Sequence, residues 1–257
     1  MTATQAPPSP YTTWLADLAG SYRMSVAQYH ALIEHAILTT GDKVELIGGH
    51  VLFKLDHVAH PPPSRFYPQW KQLRRWTLAE YRRMVELGIL TPNDKLELID
   101  GHLVAKMSQN PRHRLSVVRL YSRLPVYLPT GWWMSSQCPV EIGGGAPEPD
   151  GAVIRGLDVD YTTRQPTAAD CGLVIEVSDT SLRDDRRVKC ALYGEANIPT
   201  YWIVNVDDRC VEVYTQPTGA NATPGYATRT DFTPGQSIPL TLDGNVVASI
   251  PVDDLLP

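Results

Sequence analysis

No apolar run in this sequence approaches the ~18 residues a membrane-crossing helix needs, so no membrane span is expected. No cysteines sit at CxxC spacing. Cys138, Cys171, Cys190 and Cys210 are 33, 19 and 20 residues apart. That argues against a zinc site and for separate reduced thiols in a cytoplasmic protein. The first ten residues hold neither a basic segment nor an apolar core, so no secretory signal is expected. Positive charge is not in excess either: the formal net charge is −5, which speaks mildly against indiscriminate nucleic-acid binding. Gly143, Gly144 and Gly145 are not followed by Gly-Lys-Ser/Thr or by a helix start, so they read as a flexible turn rather than a phosphate cradle.

What is present is an ordinary globular composition, 257 residues with 43% hydrophobic and 20% charged, enough to bury a core without staples. Charge is unevenly spread. Residues 64–123 carry 12 Lys/Arg and 5 Asp/Glu, a local +7 that leaves −12 elsewhere. Such a basic stretch can steer a phosphate backbone, or can simply be a set of solvated helix faces.

A duplication runs through the first part of the chain. Residues 24–55 align without a gap on 76–107, with 14 of 32 positions identical, among them Tyr29/Tyr81, Asp42/Asp94, Glu45/Glu97, Gly49/Gly101 and His50/His102. Each copy opens with a capping-box pattern, Ser25 with Gln28 and Thr77 with Glu80. Apolar residues at helical spacing follow: Tyr29, Leu32, Ile33 and Ala36, then Tyr81, Met84, Val85 and Gly88. Two short alternating runs then flank Gly48-Gly49 or Asp100-Gly101, a hairpin signal. The expected organisation is a flexible segment over 1–23, a helix–hairpin unit over 24–58, a Pro-rich linker over 59–75 and a main domain over 76–257. The first unit has no core of its own and must pack on the main domain or on a second subunit, as in a homodimer.

In the main domain, Asn110 and Pro111 predict a helix start, with the helix running to about Val126. Strands are expected over 132–136, 138–142, 150–155, 173–178, 201–206 and 210–214, with a helix over 184–197. That order implies an α/β sandwich with a mixed central sheet. The 173–178 strand is nearly continuous in apolar character and is expected to be buried on both faces.

Glu176 interrupts that apolar strand, where a carboxylate is costly unless compensated. Asp150 opens another strand directly after Pro147-Glu148-Pro149. If the two strands are neighbours, the carboxylates meet at one sheet edge, repel, and favour a shared cation. Hard oxygen ligands point to Mg²⁺ or Mn²⁺. An ordinary ion pair is the competing explanation for either acid alone. Lys189, on the helix after the Glu176 strand, is placed to reach the same region and orient water or offset phosphate charge. Its alternative is a surface pair with Asp185.

The stretches Leu96-Glu-Leu-Ile-Asp-Gly-His102, Ser108-Gln-Asn-Pro-Arg-His113, Pro147-Glu-Pro-Asp150, Leu173-Val-Ile-Glu-Val-Ser178, and Lys189 through Ala196-Asn-Ile-Pro-Thr-Tyr-Trp-Ile-Val204 together resemble the bacterial Uma-two family of restriction-endonuclease-like proteins. That family lies in the PD-(D/E)xK nuclease-like superfamily. The resemblance covers about 76–256. It implies a restriction-endonuclease-like core, a metal held by Asp150 and Glu176, Glu97 as an additional acid reaching the site, and DNA as the partner. The superfamily's lysine two residues after Glu176 is here Ser178, and the resemblance moves that role to Lys189. His113 lies in the segment resembling the family's Pro-His motif, as a phosphate contact or as a structural hydrogen bond. Glu45, the counterpart of Glu97, has no following acid and lysine set and is not expected to form a second site. The leading expectation is a Mg²⁺- or Mn²⁺-dependent DNA endonuclease. A non-cleaving nucleic-acid or protein binding module, with the N-terminal unit serving oligomerisation, is the rival.

Overall fold

The computed structural model describes residues 20–54, 67–70, 72–106 and 109–257. Most of the expected N-terminal segment and half of the expected linker fall outside these. Two compact units are present, residues 1–106 and 107–257. Among the described residues no helix is long and apolar enough to cross a membrane.

The first unit holds both copies of the repeat. Each has a helix, α1 (Val26–Glu34) or α2 (Leu78–Glu86), and a hairpin, β1 (Val44–Ile47) with β2 (His50–Phe53) or β3 (Leu96–Ile99) with β4 (His102–Ala105). Both capping boxes form: Ser25 Oγ accepts from the Gln28 amide and Thr77 Oγ1 from the Glu80 amide, with the Gln28 and Glu80 side chains returning to the cap amides. The hairpins share one register, Ile47 opposite His50 and Ile99 opposite His102. Their turns place two residues at positive φ, Gly48 and Gly49 in one copy, Asp100 and Gly101 in the other. This is the twist that a two-residue hairpin loop requires.

The copies hold each other reciprocally. The segment leading into the first copy pairs with the second hairpin, Tyr22 N–H to Leu103 O at 2.8 Å and Ala105 N–H to Gly20 O at 2.8 Å. The segment leading into the second copy pairs with the first hairpin in the equivalent register, Arg74 N–H to Val51 O at 2.9 Å and Phe53 N–H to Gln72 O at 3.0 Å. Side chains repeat the exchange. The Tyr22 hydroxyl donates to Asp94, and the Arg74 guanidinium donates to Asp42 at 2.9 Å. Leu32 and its counterpart Met84 are both fully buried. The first copy, with no core of its own, therefore packs on the second.

The second unit is built on a six-stranded sheet in the order β10-β9-β8-β7-β6-β5. Its strands are β5 (Trp132–Ser135), β6 (Gly151–Arg155), β7 (Cys171–Ser178), β8 (Thr200–Asn205), β9 (Cys210–Pro217) and β10 (Tyr226–Phe232). Only β7 and β8 run parallel, so the sheet is mixed. A parallel pair needs a crossover. It is supplied by α4 (Leu182–Asp184), a π-helical turn (Asp185–Lys189) and α5 (Cys190–Glu195). Helix α3 (Pro111–Arg123) is capped by Asn110, whose side chain accepts from the His113 amide, with proline at the first turn.

Alternation divides the sheet's two faces. Leu173, Ile175 and Val177 of β7, Trp202 and Val204 of β8, and Val211 and Val213 of β9 face one way. They form the core with Val117 and Leu120 of α3 and with the hairpin of β11 (Ser237–Leu242) and β12 (Asn245–Pro251). The opposite face carries Glu176, Tyr201, Glu212 and Tyr214 beneath the crossover. β7 is buried along its whole length, as its composition implied.

Two sequence expectations change. Residues 138–142 form no strand, only single bridges from Glu141 and Ile142. Gln137 turns into the left-handed region, φ 44°, and Pro139 has no N–H to give a ladder. The helix expected over 184–197 begins earlier and contains the π turn. Asn197, at φ 59°, lies beyond its end. Strands β10, β11 and β12 were not anticipated. Cys171, Cys190 and Cys210 are buried free thiols and Cys138 is exposed.

Candidate active site

Asp150 immediately precedes β6, and Glu176 lies two residues before the end of β7. The β6–β7 ladder pairs Gly151 with Ile175. One step further brings Asp150 opposite Glu176, on the face away from the apolar core, where facing side chains are neighbours. The contacts bear this out. Asp150 Oδ2 accepts the Val177 amide at 2.9 Å, and the Asp150 amide faces Glu176 Oε2 at 3.4 Å. The Tyr121 hydroxyl donates to the Asp150 carbonyl and pins the backbone there from α3.

Each carboxylate has a separate basic neighbour. His113 Nε2, on the first turn of α3, is 3.2 Å from Asp150 Oδ2. Burial alone would lower the imidazole pKa. The hydrogen bond to Asp150 and the charges of Asp150, Glu176 and Asp179 outweigh it, and the net direction is up. Lys189 Nζ is 3.4 Å from Glu176 Oε1, with both side chains about nine-tenths buried. Tyr193 donates its hydroxyl to that same oxygen at 2.7 Å. Lys189 is thus an interior residue of this cluster rather than one half of a surface pair with Asp185. It ends the π turn, in which the Cys190 amide reaches back to the Asp185 carbonyl. Inserted π turns of this kind re-aim side chains and recur at functional sites.

Further carboxylates surround the pair. Asp185, the first residue of the π turn, is buried, and burial pushes its carboxyl up to about 6 against the opposing effects of the Ser181 hydroxyl and the Lys189 charge. Asp179, just past β7, takes a hydrogen bond from the α3 cap residue Asn110. The sequence pointed to neither Tyr193 nor Asp179, and to Asp185 only as a surface partner of Lys189. Tyr193 lies four positions after Lys189, one helical turn on, and that spacing is the signal that was available.

Glu97 lies on β3 of the first unit, opposite Val104, and is buried there. The fold thus brings Asp150, Glu176, Lys189 and His113 together within the second unit. A second acid on the same sheet face, Glu212, is fully buried and bound by Arg186, Arg229, Asn205 and Tyr214. That arrangement is a closed ion-pair network. Glu176, by contrast, is held on one oxygen by a lysine and a tyrosine, while its other oxygen faces Asp150.

The donor chemistry fits a hard divalent cation. Two carboxylates from adjacent strands suit Mg²⁺ or Mn²⁺, which take one or two protein carboxylates and complete their shell with water and phosphate oxygens. Among the described residues no three His, Cys, Asp or Glu side chains are grouped as a ligand set, so a cation here would have no more than this pair to draw on.

Comparison with known proteins agrees with this architecture. No curated protein matches the chain. A crystal structure from Anabaena variabilis, described as a "putative nuclease", is similar to it with a TM-score of 0.50 and 16% identity, over 70% of this chain and 96% of that one. At that identity the likeness speaks for the fold alone. The model of the Uma2 family, described as "Putative restriction endonuclease", matches residues 78–249, well over half of the chain. That match establishes that the chain belongs to the Uma2 family, and its mixed sheet with flanking helices is a PD-(D/E)xK nuclease-like core.

Proposed function

We propose that the protein is a divalent-metal-dependent endonuclease that hydrolyses DNA phosphodiester bonds, with Asp150 and Glu176 as ligands of Mg²⁺ or Mn²⁺. The observation that carries this reading is the meeting of the two carboxylates at one end of β6 and β7, with Lys189 and His113 each against one of them. A cation held there supplies a lowered water pKa and stabilisation of the extra charge on the phosphate in the transition state. The chain's own residues supply the rest. Lys189 fixes Glu176 and puts positive charge beside the position of the phosphate. His113, against Asp150 Oδ2, steadies that carboxylate and is a contact for the phosphate.

Metal-dependent cleavage of single-stranded, duplex and branched DNA tests this, with Asp150→Ala as control. Cleavage should need Mg²⁺ or Mn²⁺ and vanish in the variant. Unchanged cleavage by Asp150→Ala would reject the mechanism. One observation favours a rival: Glu176 already has a cation within the protein, as a structural ion pair would. On that reading the fold binds nucleic acid or protein without cutting, and binding would survive both chelation and Asp150→Ala. Assembly through the N-terminal unit, including a homodimer, belongs to the same rival reading and is checked by mass in solution.

A further inference from the structure

The two oxygens of Glu176 are not equivalent. Oε1 receives the Tyr193 hydroxyl at 2.7 Å and lies 3.4 Å from Lys189 Nζ, whereas Oε2 is turned toward the Asp150 amide at 3.4 Å. A carboxylate on a two-carbon stem can rotate, and rotation would swing either oxygen toward Asp150. Two donors on one oxygen oppose that rotation. Lys189 brings charge on a flexible stem, while Tyr193 brings direction, because its ring has no free rotor to lose. The ring is fully buried and packs on Tyr201 with centroids 5.1 Å apart. We infer that Tyr193 is a positioning residue that clamps Glu176 Oε1, so that Oε2 is the oxygen presented beside Asp150 as the metal ligand. This deepens the metal reading of the site and rests on it. The physical basis is general: partners that hold a ligating carboxylate or imidazole from behind set its orientation and typically contribute 10- to 100-fold in metal affinity.

The experiment titrates the full chain with Mn²⁺ itself, reading free Mn²⁺ by electron paramagnetic resonance. Tyr193→Phe removes one oxygen and keeps the ring. Its dissociation constant for Mn²⁺ should rise about tenfold or more, with unchanged stoichiometry and with full occupancy regained at higher Mn²⁺. Tyr201→Phe is the structural control. It loses a hydroxyl on the same sheet face that donates to the Asp185 carbonyl rather than to Glu176, and its Mn²⁺ affinity should match that of the unmutated chain. Equal affinity in Tyr193→Phe and the unmutated chain overturns the inference and leaves the metal reading standing. So does equal weakening in both tyrosine variants. Absence of Mn²⁺ binding by the unmutated chain removes both. A measurement that keeps the hydroxyl covers the case of a misfolded variant. With fluorotyrosine at position 193, the fluorine resonance should move on Mg²⁺ addition along the chain's own binding curve, and a stationary resonance overturns the clamp.

Discussion

Lys189→Met should destabilise the metal-free protein, and Glu176→Gln added to it should restore much of the loss. The ammonium and the carboxylate are 3.4 Å apart, and their side chains are 10% and 9% exposed. At an effective dielectric of about 20, that separation corresponds to roughly 5 kcal/mol of attraction. Both groups also gave up hydration, so the net worth of the pair is smaller. Removing one partner alone strands the other, and for buried pairs this costs about 3–5 kcal/mol. Tyr193 still holds Glu176 Oε1, which places the expectation near the lower end, about 3 kcal/mol. Asp185 reinforces the effect: burial already pushes its carboxyl up to about 6, and without the Lys189 charge it is driven further toward the neutral form. The assay is urea unfolding with chelator at pH 7.5 for the unmutated chain, both single variants and the double. The double should be clearly more stable than Lys189→Met, with a coupling of at least about 1 kcal/mol. Additivity within about 0.5 kcal/mol would show that the two groups do not depend on each other, and the charge account of the site would fail.

Glu212→Gln should lower stability at neutral pH and lose that effect in acid. Burial raises the Glu212 pKa, but hydrogen bonds from Arg186, Asn205 and Tyr214 and the Arg229 charge prevail and hold it below the ordinary 4.5. Its stabilisation is therefore present above 4.5 and is lost as pH falls through the folded value, so the unmutated and variant curves should converge in that window. Parallel curves from pH 7 to 3 would contradict this. Gly194→Ala should cost about 3 kcal/mol, because a Cβ there would overlap the backbone carbonyl of Gly225, which cannot yield as a side-chain tip would. A melting temperature within a degree of the unmutated chain would mean that the approach of α5 to that loop is looser than described.

Local features were legible in the sequence because local chemistry decides them. The capping boxes of α1 and α2, the two-residue hairpin turns and the start of α3 at Asn110-Pro111 all follow from side chains a few positions apart. β7 was legible because only a doubly covered strand keeps so apolar a run, and Glu176 stood out against it. Asp150 was placed by its neighbours, two prolines and a strand. What was hidden depends on register and on distant partners. Glu212 reads as one acid in an alternating strand, and its arginines arrive from the π turn and from β10. β10 itself exposes most of its side chains, so it gives no burial signal. The π turn has no sequence mark. With it, the spacing of Asp185, Lys189 and Tyr193 becomes a single inward-facing row. The main domain was expected to begin at residue 76; the family match runs over 78–249, and compactness divides the chain after residue 106. The second helix–hairpin copy thus belongs to the family by sequence and to its twin by packing.

The reciprocal pairing of the two copies has a consequence for how such a unit can change. Two identical chains related by a two-fold axis must accept every substitution twice, once on each side. Here both halves lie on one chain, so each can vary alone. Tyr22 and Arg74 occupy equivalent places and bind equivalent aspartates, one through a phenol and the other through a guanidinium. Gln28 and Glu80 differ in the same way: the amide reaches across to Asp94, and the carboxylate stays with Arg74. Fusion also makes the union of the halves independent of protein concentration. Glu45 and Glu97 hold equivalent strand positions, so the halves differ in these cross-partners and not in that acid.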